Sequence, residues 1–82
     1  MHELSIACSL LDAVRVELKA YPGARVTAIG VRIGELAGVD HESLKFGFDA
    51  IVKDTELDAT RLEIRSAGRD ELDLAFIELE DA

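Results

Sequence analysis

Three interruptions of regular structure, and the spacing of the apolar residues between them, constrain what this 82-residue chain can fold into. The breaks lie at residues 21–23, 34–40 and 66–70, where proline, glycine and short polar residues interrupt regular structure. Between them, apolar residues recur at the period of an amphipathic helix in some segments and at the period of a strand in others. Because a chain of this length has room for one small core, all segments must share it.

Two segments have the helical period. In residues 4–20 the apolar side chains recur at three- and four-residue steps. The second segment follows Asp40, which is a good N-cap, with Ser43 at the position of a capping-box partner. Gly47 weakens this second helix by about 1 kcal/mol relative to alanine, which suggests a close backbone approach there. The predicted stripes are Ala7, Leu10, Leu11, Val14 and Leu18 in the first helix, and Leu44, Phe48, Ile51 and Val52 in the second.

Three segments, at residues 25–33, 61–65 and 71–80, have the alternation of strands. In the last one the alternation changes parity after Phe76, which predicts a β-bulge or a bend. Residues 66–70 have the length of a hairpin connection between the last two strands. The residues predicted to face the core are Ile29, Val31 and Ile33, then Leu62 and Ile64, then Leu72, Leu74 and Phe76, followed by Ile77 and Leu79.

The predicted fold is therefore α+β, in the order helix-strand-helix-strand-strand. Two helices would pack on one face of a three-stranded sheet, because each amphipathic element must bury its apolar face against another. The whole chain, residues 1–82, is predicted to be one domain.

The charge balance excludes several function classes. The chain has 17 acidic and 9 basic residues, a formal charge of -8. Nucleic acids and anionic membrane surfaces require basic residues, so neither is an expected partner. No apolar run approaches the roughly 20 residues of a membrane span, and no secretory signal is visible. These observations favour a cytoplasmic protein.

No catalytic arrangement is recognisable in the sequence. It contains neither a Walker-type phosphate loop nor a nucleophile elbow, and it has only two histidines. Ser5 and Ser9 lie on the first predicted helix without an evident base. The prediction is that the protein is not an enzyme.

The first three residues could chelate a metal ion. The Met1 amine, the deprotonated amides of His2 and Glu3, and the His2 imidazole would supply four nitrogens, a donor set that suits square-planar Ni(II) or Cu(II). Because the backbone amides of His2 and Glu3 must lose their protons to bind the metal, binding would weaken at low pH. By spacing alone, a frayed and solvated His2 is the favoured explanation, and an acid in the first turn also has an ordinary use, because it favours the helix dipole.

Two further side chains have both an ordinary and a metal-binding interpretation. His41 follows the Asp40 cap and is interpreted as a solvated residue, unless the fold brings it near His2. Cys8 is the only cysteine, which excludes an intramolecular disulfide and a multi-thiolate site within one chain. It is interpreted as a small buried or half-buried apolar residue, with a soft nickel ligand as the alternative.

Several segments together resemble the HypA/HybF family of hydrogenase-maturation nickel-incorporation proteins. The most specific are residues 1–7, MHELSIA, and residues 31–39, VRIGELAGV. The resemblance extends over almost the whole chain through residues 42–48, 62–64, 71–74 and 77–80.

This resemblance implies a nickel-binding accessory protein, or metallochaperone, that delivers Ni(II) during maturation of a nickel enzyme, above all a nickel-iron hydrogenase. It implies His2 as the essential ligand, Met1 as a ligand through its amine and Glu3 through its amide. The partners it implies are a GTPase of the HypB type and the hydrogenase large-subunit precursor.

One departure from the family is large. Its members normally carry a zinc module of two C-x-x-C pairs between the last two strands, where this chain has only the short turn near residues 66–70. Zinc is therefore not expected. The short turn is expected to rejoin strands that are neighbours in the sheet.

Two other functions remain as alternatives. The chain could be a metal-free interaction module or scaffold of a maturation complex. It could also form oligomers, since a short connection before the last strand favours exchange of that strand between two chains.

Overall fold

The computed structural model describes residues 2–80, which form two helices and three strands in the predicted order. The fold is α+β, with both helices on one face of the sheet, as predicted. Neither helix in this range is long and apolar enough to cross a membrane. The elements are α1 (Glu3–Leu18), β1 (Arg25–Gly34), α2 (His41–Val52), β2 (Arg61–Ala67) and β3 (Leu72–Glu80).

The three strands form one mixed sheet in the order β2-β1-β3. β2 runs parallel to β1, and β3 runs antiparallel to it. The predicted hairpin between the last two strands is therefore wrong, as is the expectation that they are neighbours. β1 is buried along most of its length, so its backbone N–H and C=O groups need a strand partner on each side. The chain therefore crosses the end of β1 between Ala67, where β2 ends, and Leu72, where β3 begins.

The core lies between the helices and the sheet. Ile29 and Val31 of β1 are fully buried, as are Leu44 and Phe48 of α2. The two helices also pack closely against each other. A Cβ atom on Gly47 would lie 3.6 Å from the Cα atom of Leu4, which confirms the close approach predicted at this glycine.

The predicted irregularity in β3 is present, but one residue earlier than the sequence pattern indicated. Leu74 pairs with Val31 and Phe76 pairs with the preceding residue Gly30, so Ala75 has no partner on β1. The extra residue reverses the side-chain alternation. Phe76 consequently lies on the face away from the helices, against Gly30, and not in the core with Leu74.

The N-cap predicted at Asp40 is confirmed, since its Oδ1 accepts a hydrogen bond of 3.0 Å from the Ser43 N–H. Replacing Asp40 with alanine removes this acceptor and should lower the free energy of unfolding by about 1 kcal/mol. Urea denaturation measures the change. Ser43→Ala is the matched control, because it keeps the backbone N–H, and it should change stability by less than about 0.5 kcal/mol. Equal losses in the two variants would contradict a stabilising cap.

Candidate metal centre

His2 is the N-cap residue of α1. Its backbone is extended, with φ -85° and ψ 122°, and its carbonyl accepts a 3.2 Å hydrogen bond from the Ile6 N–H. The imidazole makes no capping hydrogen bond and is exposed to solvent. Met1, the other terminal residue predicted to bind metal, lies outside the described residues. The His2 ring is thus free to turn toward a metal ion without breaking a contact of the fold.

The main-chain nitrogens at this position are also available. The first N–H groups of an α-helix have no carbonyl partner within the helix, and Glu3 is the first residue of α1. The Glu3 N–H lies against the carboxylate of the same residue. Loss of the amide protons of His2 and Glu3 to a metal ion would therefore break no hydrogen bond of the helix.

The Glu3 side chain joins the starts of the two helices. Its Oε2 accepts a hydrogen bond of 3.1 Å from the backbone N–H of Asp40, the residue that caps α2. This donor, followed by the N–H of Glu3 itself, lowers the pKa of the Glu3 carboxyl. The contact spans 37 residues of sequence, so no local pattern predicts it. It holds the first residue of α1 in a fixed place on the molecule.

The lowered pKa has a measurable consequence. A carboxylate whose pKa falls on folding stabilises the folded state above its unfolded pKa, and this contribution is lost as the pH falls through the folded pKa. In an NMR titration, we expect the side-chain carboxyl carbon of Glu3 to shift with a midpoint below the ordinary glutamate pKa. Glu3→Gln should abolish that step. A midpoint at or above the ordinary value would contradict the Glu3–Asp40 hydrogen bond.

The same hydrogen bond places the two histidines at one end of the molecule. His41 is the first residue of α2, directly after Asp40, and its side chain is exposed. Within residues 2–80, however, no three histidine, cysteine, aspartate or glutamate side chains are grouped closely enough to hold a metal ion. A metal centre at His2 would therefore take most of its donors from the main chain.

Cys8 differs from its prediction as a buried or half-buried residue, because its side chain is exposed. The buried stripe of α1 passes through Ala7, Leu10, Leu11 and Val14, and Cys8 lies beside it on the outer surface. Zinc in structural sites takes four thiolate or imidazole ligands in a tetrahedron. The single exposed cysteine, without a side-chain cluster in the described part of the chain, does not fit such a site.

Comparisons with known proteins show the family to which this chain belongs. Residues 1–69 match the model of the HypA family, described as "Hydrogenase/urease nickel incorporation, metallochaperone, hypA". A hydrogenase maturation factor HypA from Pelodictyon phaeoclathratiforme is 49% identical over 55 residues, which cover 67% of this chain and 47% of the relative. Another from Roseiflexus sp. is 49% identical over 65 residues, covering 78% and 52%.

The fold also agrees with a solved structure. The solution structure of the Ni metallochaperone HypA from Helicobacter pylori superposes with a TM-score of 0.73 at 22% identity, covering 82% of this chain and 58% of the other. This likeness establishes the shared fold. The chain spans about half the length of the curated relatives that it matches. Since the family match extends from residue 1 through residue 69, this chain belongs to the HypA family.

Proposed function

We propose that this chain is a nickel-binding accessory protein that carries Ni(II) during maturation of a nickel enzyme, such as a nickel-iron hydrogenase. The observation that carries the proposal is the exposed His2 imidazole at the start of α1, next to main-chain N–H groups that the helix does not use. The family match begins at the same residues and is described by nickel incorporation.

The four donors are the Met1 amine, the amide nitrogens of His2 and Glu3, and the His2 imidazole. Nitrogen donors in a plane suit Ni(II). Binding releases the two amide protons, and the amine proton where it is present, so affinity falls as the pH is lowered. The Glu3 carboxylate does not need to bind the metal. Its hydrogen bond to the Asp40 N–H instead joins the start of α1 to the start of α2.

A carrier must also release its metal, and the location of the site serves this need. The exposed His2 lies at the end of α1, where a second protein can approach and exchange ligands. In this proposal a GTPase of the HypB type and the hydrogenase large-subunit precursor are the partners, the chain itself catalyses no reaction, and the process takes place in the cytoplasm.

The proposed unit is a single nickel-binding domain over residues 1–82 that works without zinc. β2 ends at Ala67 and β3 begins at Leu72, so a short turn stands where relatives are expected to carry a zinc module. The donors proposed for nickel lie in the first three residues and none of them belongs to this turn.

Isothermal titration of Ni(II) into a chain that starts at Met1 tests the proposal. We expect one ion to bind per chain, with proton release that depends on pH. The matched control is the same chain with its Met1 amine acetylated, which removes that nitrogen as a donor and should abolish tight binding. Equal binding by both chains would disprove the terminal site. No binding by either would favour the metal-free interaction module.

A further inference from the structure

A groove runs between α1 and β3 and starts at Ser5 of α1. It contains two cavities of about 370 and 310 Å³, and both are lined on one side by α1 and on the other by β3. Leu74 lines both cavities, so they lie next to each other along β3. On the helix side of the second cavity the exposed wall consists of the small residues Ser5, Ser9 and Ala13, which leave room beside the strand.

β3 is incompletely covered along this groove. Leu72, Leu74, Ile77 and Leu79 pack against the core, yet each remains only half-buried. The strand order β2-β1-β3 also leaves the outer edge of β3 without a strand partner within residues 2–80. An edge strand presents unpaired N–H and C=O groups to which another strand can bond. Here the free edge and the apolar groove belong to the same nine-residue strand.

Two kinds of strand could bind at this edge, β3 of a second copy of the chain or a basic strand of another protein, and charge distinguishes between them. Residues 70–80 contain five acidic residues and no basic one. Three of the five, Asp73, Glu78 and Glu80, form ion pairs with arginines of β1 and β2, whereas Asp70 and Glu71 have no such pair within residues 2–80. Glu17 lines the first cavity, and the whole chain keeps a formal charge of -8. Pairing β3 with β3 of a second copy would bring two acidic strands together, and like charges on paired strands are destabilising. A strand with basic side chains would meet opposite charge instead.

We propose that the groove between α1 and β3 binds an extended segment of a partner protein in which apolar and basic residues alternate. The segment adds to the free edge of β3 as a fourth strand, the binding mode known as β-augmentation. Its apolar side chains enter the two cavities, and its basic side chains lie along the acidic edge. This proposal is independent of nickel binding.

NMR titration of the full chain with two synthetic ten-residue peptides tests the proposal, one alternating lysine with valine and the other glutamate with valine. We expect the lysine peptide to shift the β3 and α1 groove resonances and to slow hydrogen exchange of β3 amides. The glutamate peptide should bind at least about tenfold more weakly, and added salt should reduce this difference.

Two tryptophan variants on the exposed surface of α1 locate the binding site. Ala13→Trp places a bulky ring in the groove, whereas Val16→Trp places one on the same helix outside the cavities. The first should weaken peptide binding at least about tenfold and the second should leave it unchanged, with both chains folded by circular dichroism. Equal binding of the two peptides, shifts confined to β2, no β3 shifts at millimolar peptide, or self-association through β3 would overturn the proposal.

Discussion

A chain that starts at Met1 and carries alanine in place of His2 will bind Ni(II) at least about a hundredfold more weakly than the unsubstituted chain. Loss of an outer-shell partner of a metal ligand typically costs tenfold to a hundredfold, and a direct ligand contributes no less. A hundredfold loss corresponds to about 2.8 kcal/mol. His2 is the only imidazole among the four proposed donors, so no other ring in that set can replace it.

The folded structure should survive this substitution. The His2 side chain is exposed and makes no capping hydrogen bond, and the carbonyl that bonds the Ile6 N–H is retained by alanine. A change in nickel affinity can therefore be assigned to the lost ligand. Circular dichroism and urea denaturation should give the same folded signal and nearly the same midpoint as the unsubstituted chain.

His41→Ala is the matched control, because it removes the other histidine from the same end of the molecule. It should leave nickel affinity within about threefold of the original value, since it contributes no donor in the proposed site. Calorimetric titration of the three chains in one buffer makes the comparison. Identical affinities for His2→Ala and the unsubstituted chain would refute the terminal site, and a larger loss in His41→Ala would move the site to α2.

Replacing Gly34 with alanine should lower the free energy of unfolding by about 3 kcal/mol, the upper end of the usual cost of overpacking. A Cβ atom at this position would lie 2.1 Å from the carbonyl oxygen of Arg69 and 2.7 Å from that of Gly68. Both atoms are backbone, so no side chain can turn aside to make room. The crossing segment between β2 and β3 would have to move off the end of β1.

Two hydrogen bonds would be strained by that movement. The Gly34 N–H donates to the Glu71 carbonyl and the Leu36 N–H donates to the Arg69 carbonyl, each at 2.8 Å. Both hold the crossing segment against the end of β1. Gly34 thus stabilises the connection that in this chain stands between the last two strands.

Gly68→Ala is the control within the same segment. A Cβ atom on Gly68 would have only the Glu71 Oε1 nearby, at 3.9 Å, and the backbone of Gly68 is not in the left-handed region. Alanine at such a position should leave stability unchanged or raise it by up to about 1 kcal/mol, because it restricts the unfolded chain. Urea denaturation of both variants makes the test. A Gly34→Ala loss below about 0.5 kcal/mol would show that the crossing segment adapts without cost.

The elements of the fold could be predicted from the sequence because their signals are local. The stripe of α1, the core-facing residues Ile29, Val31 and Ile33 of β1 and the Asp40 cap each depend on residues a few positions apart, and each is present in the structure. The pairing of the strands was not predictable in this way. Residues 66–70 have the length of a hairpin connection, but length does not distinguish a turn between neighbours from a crossing over a third strand.

In the candidate site, too, local features were predictable from the sequence and long-range contacts were not. The sequence of this protein alone determined the order of its helices and strands, its acidic character and the donor types at its first three residues, because these depend on residue identity and spacing. Only the tertiary structure decided that β1 is central, that Phe76 leaves the core, and that Glu3 is held by the Asp40 N–H. Those features join residues from 33 positions apart (Ala28 and Arg61) to 55 positions apart (Arg25 and Glu80), or depend on one unpaired residue at a bulge. Contacts of that kind form only when the elements pack.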